Sequence, residues 1–218
     1  MHAEHWDAIF RTTTDAELGW YEENVAQTLR FLDRIPAGNS LDVFLPGAGT
    51  SRLVDELLRR GHRLVLNDIS QAALNKLQIR LGGEGHTPGE RDADARIHWL
   101  HHDISKPLPA ELPPVDLWLD RAVLHFLLLE SDIQAYFDNL RAALRPGGYV
   151  LLAEFSTDGA EKCAGLELHR YSIDEMAERL GAEFELLGSE AYTYTNPNGD
   201  PRPYLYALFR RRPPAPSA

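Results

Sequence analysis

The sequence has a single cysteine, Cys163, in 218 residues. An intrachain disulfide is therefore excluded, and a reducing compartment is the natural setting. No apolar run approaches the roughly 20 residues that a membrane-spanning helix needs. The opening MHAEHWDAIF lacks the apolar centre of a signal peptide. A cytoplasmic location is the expectation. Basic charge is scarce as well: 22 Lys and Arg stand against 33 Asp and Glu, a net charge of -11. That balance argues against nucleic acid and against an anionic membrane as partner. No internal repeat is found.

What is present is the make-up of an ordinary globular chain, 44% hydrophobic and 25% charged. One domain over 1–212 is expected, long enough to bury a core without staples. Residues 213–218, rich in proline, read as a disordered tail.

The chain is organised around LDVFLPGAGTSRLVDELLRRGHRLVLNDIS, residues 41–70. Leu41–Leu45 is a short apolar run suited to a buried parallel strand. Pro46 ends it, and Gly47-Ala48-Gly49 permits a tight turn with close backbone approach. Thr50 or Ser51 can cap the next helix, whose Leu53, Val54, Leu57 and Leu58 share one face. Gly61 closes that helix. Arg63–Leu66 is the second strand, with Asp68 just beyond its carboxyl end. Open α/β sheets bind nucleotides in that crevice. The glycine turn offers backbone N–H groups at a helix N-terminus, and Asp68 can accept from both ribose hydroxyls. The alternative is a purely structural glycine turn. Arg52, at the third glycine position of G-x-G-x-x-G, speaks against a nicotinamide dinucleotide.

Upstream, Leu18, Tyr21, Val25, Leu29 and Leu32 predict a helix over Asp15–Leu32, within an N-terminal helical lid segment, 1–36. Trp20 and Tyr21 are core or lid aromatics, with Trp20 the candidate cofactor contact. Downstream, Ser70 caps a helix carrying Ala73, Leu74, Leu77 and Leu81. The polar stretch 82–95 reads as a flexible loop. Arg96–Leu100 is a third strand, followed by His101-His102-Asp103. Adjacent side chains on a strand point to opposite faces, so these converge poorly on a metal, and no metal is expected. Asp103, again just past a strand end, is placed to meet a nucleotide's base.

Val115–Leu119 is the fourth strand, Ile133–Leu144 a helix and Tyr149–Phe155 the fifth strand after the turn Arg145-Pro146-Gly147-Gly148. Ser172 caps Ile173–Leu180 with a capping-box pattern, SIDE. Two β-rich runs, Glu183–Thr195 and Tyr204–Arg210, form a terminal hairpin around the long loop NPNGDPRP. The fold expected is α/β: a mostly parallel sheet with helices on both faces and an antiparallel hairpin at the C-terminus.

VFLPGAGTSRLVDELLRRGHRLVLNDIS, VDLWLDRAVLHFLL and LRPGGYVLLAEFSTDG together resemble class I S-adenosylmethionine (SAM)-dependent methyltransferases, which have a seven-stranded Rossmann-like sheet. The Pro before the glycine turn and the Ser after the strand-two acid resemble the thiopurine and chalcogen S-methyltransferase branch. The resemblance implies SAM as cofactor and a small-molecule acceptor with a sulfur or selenium nucleophile. It implies that Gly47, Ala48 and Gly49 pack the methionine side of SAM and that Asp68 holds its ribose. It further implies that Ile69 and Ile104 sandwich the adenine, and that Asp103 meets its exocyclic amine. The usual acid two residues before the glycine turn is Leu45 here, which leaves Asp120 as the candidate for the cofactor's amino group. Other readings are protein, nitrogen or oxygen methylation, a NAD-linked oxidoreductase, and a non-catalytic cofactor-binding module.

Candidate catalytic residues follow strands four and five. If Arg121–Leu128 is helical, Arg121 and His125 share a face at i, i+4. His125 is then a base or substrate contact, or else a core histidine. Arg121 binds an anionic group or pairs with Asp120. Arg170 and Tyr171 are a clamp for a carboxylate or phosphate, or a buried pair that ties the loop down. Cys163 reads as a small buried hydrophobe. Tyr192 and Tyr194 share a strand face, as a substrate wall or as packing.

Overall fold

A computed structural model of the protein describes residues 3–36, 40–82 and 96–213. The loop expected over 82–95 lies, from 83 on, outside the described residues. The tail does so from 214 on.

Seven strands form one sheet: β1 (Asp42–Leu45), β2 (Arg63–Asp68), β3 (Ile97–His101), β4 (Val115–Arg121), β5 (Leu144–Phe155) and the pair β8 (Phe184–Thr195) and β9 (Pro201–Arg211). Their order across the sheet is β3-β2-β1-β4-β5-β9-β8. The first five are parallel; β9 runs antiparallel to β5, and β8 antiparallel to β9. A two-stranded ribbon, β6 (Lys162–Cys163) and β7 (Leu166–Glu167), stands apart. The helices are α1 (Ala3–Thr12), α2 (Ala26–Leu32), α3 (Leu53–Arg59), α4 (Gln71–Gly82), α5 (Glu130–Ala143) and α6 (Ile173–Leu180).

The pleat divides the core. Val43, Leu45, Leu64, Leu66, Leu117, Leu119, Leu151 and Ala153 face α2 and α3. Phe44, Val65, Trp118, Val150 and Leu152 face α5 and α6. Both faces of the sheet are buried, which is why the parallel strands read as continuous apolar runs. Phe44 and Trp118 are partners on neighbouring strands, and their rings stack with centroids 4.2 Å apart.

Caps behave as the local sequence dictates. Ser70 Oγ accepts from Ala73 N (3.1 Å) and Ser172 Oγ from Glu175 N (3.2 Å). The N-cap of α3 is instead Arg52, with no side-chain cap bond, and Ser51 Oγ accepts from Leu53 N (3.2 Å) one residue earlier. Gly181 follows α6 with φ of 88°.

Four expectations are corrected. The helix expected over Asp15–Leu32 is a 3₁₀ turn, Asp15–Glu17, an irregular stretch, and only then α2. Its apolar residues divide between two cores, Leu18 meeting Trp6 and Phe10 while Val25 joins the α2 side. A single straight helix cannot serve both. The regular helix lies earlier, at α1, whose buried Trp6 and Phe10 share one face at i, i+4. Residues after Arg121 are not an α-helix: a 3₁₀ turn covers Leu124–Phe126, because Asp120 accepts from Val123 N and Leu124 N (3.1 and 3.2 Å). β5 starts at Leu144, with its glycines inside the strand beside a register shift opposite Val115 and Leu117. Finally, pairing in the terminal hairpin runs out to Thr195 and Pro201, leaving a short loop in which Asn196 Oδ1 accepts from Asn198 N and Asp200 N (3.0 and 2.8 Å).

Candidate active site

The carboxyl ends of β1, β2 and β4 open into a cleft of about 1100 Å³. Gly47 and Gly49 turn the chain there with φ of 56° and 53°, a region that side chains other than glycine rarely enter. A Cβ on Gly47 would sit 2.1 Å from Val123 Cγ2, and one on Gly49 3.3 Å from Phe10 Cζ. The turn is a cradle that any side chain would fill.

Asp68, 5% exposed, forms the next part of the wall. Its Oδ2 accepts from Gly49 N and its Oδ1 from Ser70 N, both at 2.8 Å. One carboxylate thus pins the glycine turn to the start of α4, and each oxygen keeps a lone pair for a ligand. Burial pushes the Asp68 carboxyl up to about 6 despite those two bonds. Ile69 and Ile104 line the same end of the cleft.

The N-terminal segment closes the other side. Ser70 Oγ donates to Asp7 Oδ1 (2.6 Å), which also accepts from Ala72 N (3.0 Å), so α1 is tied to the start of α4. Trp6 meets Trp20 and Phe126 edge-on, with centroids 5.5 and 4.8 Å away. These rings, with Phe10, wall the cleft.

At the β4 end stand Arg121, His125, Cys163, Tyr204 and Glu22. Arg121 Nη2 is 2.7 Å from Glu22 Oε1, with the side chains 11% and 7% exposed. Its Nη1 donates to Trp20 O (3.3 Å), and the guanidinium lies 5.5 and 5.4 Å from the ring centres of Tyr194 and Tyr204. Tyr194 Oη donates to Tyr21 O, which holds the hairpin to the same segment. Burial is the largest influence on Arg121 and opposes its charge, but Glu22 together with Tyr204 and Tyr206 outweighs it, so the guanidinium stays ionised.

The His125 ring is fully buried between Phe126 and Phe155. Glu154 Oε2 lies 2.6 Å from Nδ1 but off the line of a ring N–H, and it accepts from His125 N instead (3.2 Å). Neither ring nitrogen has an in-line partner among the described residues. Burial lowers the imidazole to about 3, so it is neutral and a weak base. Burial raises Glu154 to about 8, and burial together with Glu154 raises Asp120 well above the carboxylate range. This carboxyl pair therefore holds a proton at neutral pH.

Of the site residues expected, Trp20, Gly47, Ala48, Gly49, Asp68, Ile69, Ile104, Arg121 and His125 meet around the one cleft. Four are placed elsewhere. Asp120 is fully buried on the α5 side, where Tyr136 Oη donates to it (2.6 Å), so it reaches neither the cleft nor Arg121. The two are consecutive on β4, and the pleat sends them to opposite faces. Asp103 folds back on its own turn, accepting from Ser105 N (2.9 Å) and Ser105 Oγ (2.8 Å). Arg170 donates to Gly159 O (3.2 Å) and pairs with Glu161 (3.6 Å), away from the cleft. Tyr171 is fully buried beside the His169 ring, with centroids 4.4 Å apart. Trp6, Phe10, Phe126 and Glu22 were not foreseen. The i, i+4 aromatics of α1 carried a signal; Glu22, one acid in a polar stretch, carried none.

Comparison with known proteins agrees with this geometry. Residues 46–150 match the methyltransferase domain family. A curated relative, the malonyl-[acyl-carrier protein] O-methyltransferase of Prosthecochloris aestuarii, is 26% identical over 155 residues, 68% of this chain. The chain spans about half of that relative, 53% of its length. The N-methyltransferase NodS of Bradyrhizobium japonicum, solved with S-adenosylhomocysteine, superposes with a TM-score of 0.67 at 14% identity, over 96% of this chain and 97% of NodS. The 1,6-didemethyltoxoflavin-N1-methyltransferase of Burkholderia thailandensis gives 0.59 at 24% identity, over 80% and 72%. At such identities these two structures speak for the fold alone. The glycine cradle and the buried acid after β2 fit SAM, whose ribose needs an acceptor and whose close packing tolerates no Cβ at Gly47. Over residues 46–150 the chain thus matches a methyltransferase domain, carried on a Rossmann-like methyltransferase sheet whose glycine cradle fits SAM.

Proposed function

We propose that the protein methylates a small molecule whose nucleophile needs no protein base, with sulfur or selenium as the acceptor atom. The observation that carries this reading is the burial and low basicity of His125. The imidazole at the acceptor end is fully buried and lowered to about 3, too weak a base to take a proton from an ammonium or a hydroxyl. A thiol ionises near ~8.5 by itself, so thiolate forms at neutral pH without help. The same branch is supported by the Pro46 turn and by Ser70 after Asp68 and Ile69.

SAM, when bound, supplies a methyl group on a sulfonium, and the bond breaks to leave a neutral thioether. The chain's own residues bind and align. In this reading Asp68 accepts from the ribose hydroxyls, Ile69 and Ile104 flank the base, and the backbone of Gly47–Gly49 lies against the methionine side. Trp6, Phe10 and Trp20, within the lid segment 1–36, exclude water from the transfer. Fixed orientation of the reactants is worth up to about 7–11 kcal/mol in such displacements. A carboxylate oxygen also arrives without a proton, and the relative named as an O-methyltransferase supports that as a second reading.

Turnover of a panel of thiols, selenols, carboxylates and amines with methyl-labelled SAM, followed against pH, tests the proposal. Thiols should be methylated with a rate that tracks their own ionisation, and His125→Asn should cost less than about tenfold. Methylation confined to amines or alcohols, with His125→Asn costing on the order of 10²–10⁴ as for a general base, would overturn it.

A further inference from the structure

The Arg121–Glu22 pair at the acceptor end has unused capacity. A guanidinium carries five N–H donors in a planar fork suited to an oxyanion. Here Nη1 makes one long bond to Trp20 O (3.3 Å), and Nη2 faces Glu22 at 2.7 Å but off its N–H line. Nε has no partner among the described residues. A buried cation is thus held by a single carboxylate with its fork incompletely filled, a costly arrangement unless a second anion completes it. Glu22 sits in the irregular stretch between the 3₁₀ turn and α2, where no helix or strand ladder resists its withdrawal. Tyr204 and Trp20 add flat aromatic walls beside the fork.

We propose that Arg121 is the acceptor-recognition residue and that it takes an anionic group, a carboxylate or similar oxyanion, on an aromatic acceptor, with Glu22 as the internal anion it displaces. This rests on the reading of the β4 end as the acceptor side, but it does not depend on which atom receives the methyl. Glu22 keeps the buried cation neutralised until an acceptor arrives, and its competition lowers the affinity for every anion. Neutral and cationic acceptors gain nothing from the fork.

Calorimetry on protein loaded with S-adenosylhomocysteine separates the possibilities, using 4-mercaptobenzoate, benzoate, thiophenol and benzylamine as probes. The two carboxylates should bind the wild type at least about tenfold more tightly than thiophenol, the range of one charge-assisted contact. Glu22→Gln should tighten both carboxylates severalfold and leave thiophenol unchanged, and Arg121→Met should abolish the preference. Equal binding of carboxylates and thiophenol, or no binding of either carboxylate to the wild type, overturns the proposal. So does tighter binding of benzylamine that Glu22→Gln removes, which would make Glu22 the recognition group for a cation. If Arg121→Met weakens S-adenosylhomocysteine and spares benzoate, Arg121 serves the cofactor and the proposal falls. Should Arg121→Met fail to fold, the wild-type ranking and the Glu22→Gln arm still decide. Thiophenol methylation tests the sulfur reading separately, since it can succeed or fail whichever way the carboxylates rank.

Discussion

Asp68 offers the sharpest test of how the site is built. Its carboxylate accepts from Gly49 N and Ser70 N at 2.8 Å each, and it is buried enough that its carboxyl is raised to about 6. Only the ionised form can accept from the ribose hydroxyls with both oxygens. The apparent affinity for S-adenosylhomocysteine therefore falls by the fraction protonated. With a pKa of about 6, binding should be about tenfold weaker at pH 5 than at pH 7. The free protein responds with the opposite sign. Because the folded carboxyl is raised above its usual value of 3.8, this group's contribution to stability is full below that value and is lost as pH rises through about 6. Asp68→Asn replaces one acceptor oxygen by an amide that must face either Gly49 N–H or Ser70 N–H. Losing a hydrogen bond to a charged group costs ~1.5–3 kcal/mol, so binding should weaken by about ten- to a hundredfold. The variant should also lose the pH dependence between 5 and 7. Calorimetric titration of wild type and variant across pH 5–8 reads all of this. A flat wild-type profile, or a variant within about threefold of wild type, would refute the assignment of Asp68 as ribose acceptor.

Other substitutions probe the packing that holds the site. Gly47→Ala places a Cβ 2.1 Å from Val123 Cγ2 at a φ of 56°; left-handed strain of ~1–2 kcal/mol and overpacking of ~1–3 kcal/mol should lower the denaturation midpoint and weaken S-adenosylhomocysteine binding. Gly147→Ala, with φ of 83° but open space around it, should show only the strain and leave binding unchanged by calorimetry. Tyr136→Phe removes the donor to Asp120 (2.6 Å) and the acceptor for Trp118 Nε1 (2.8 Å); with both groups buried, thermal unfolding should report a loss of ~1–3 kcal/mol. Ser172→Ala deletes the cap on Glu175 N and should cost ~1 kcal/mol in chemical denaturation, with no change in binding.

The sequence by itself determined the local half of this protein. The β1-α3-β2 unit, its glycine turn, the acid after β2 and the serine caps were legible because each depends on residues a few positions apart: period, turn chemistry, one side chain meeting a nearby backbone N–H. Gly47, Gly49 and Asp68 occupy the places that pattern assigned them. Tertiary structure decided what depends on distant partners. It sent Asp120 and Arg121 to opposite faces of β4, where one meets Tyr136 and the other Glu22. It broke the helix expected from Asp15 because Leu18 and Val25 were claimed by different cores. It also buried His125 between Phe126 and Phe155, which turns a residue of ordinary basicity into a weak base. Charge and burial are properties of the surroundings, and those surroundings are assembled from residues that adjacent sequence does not name.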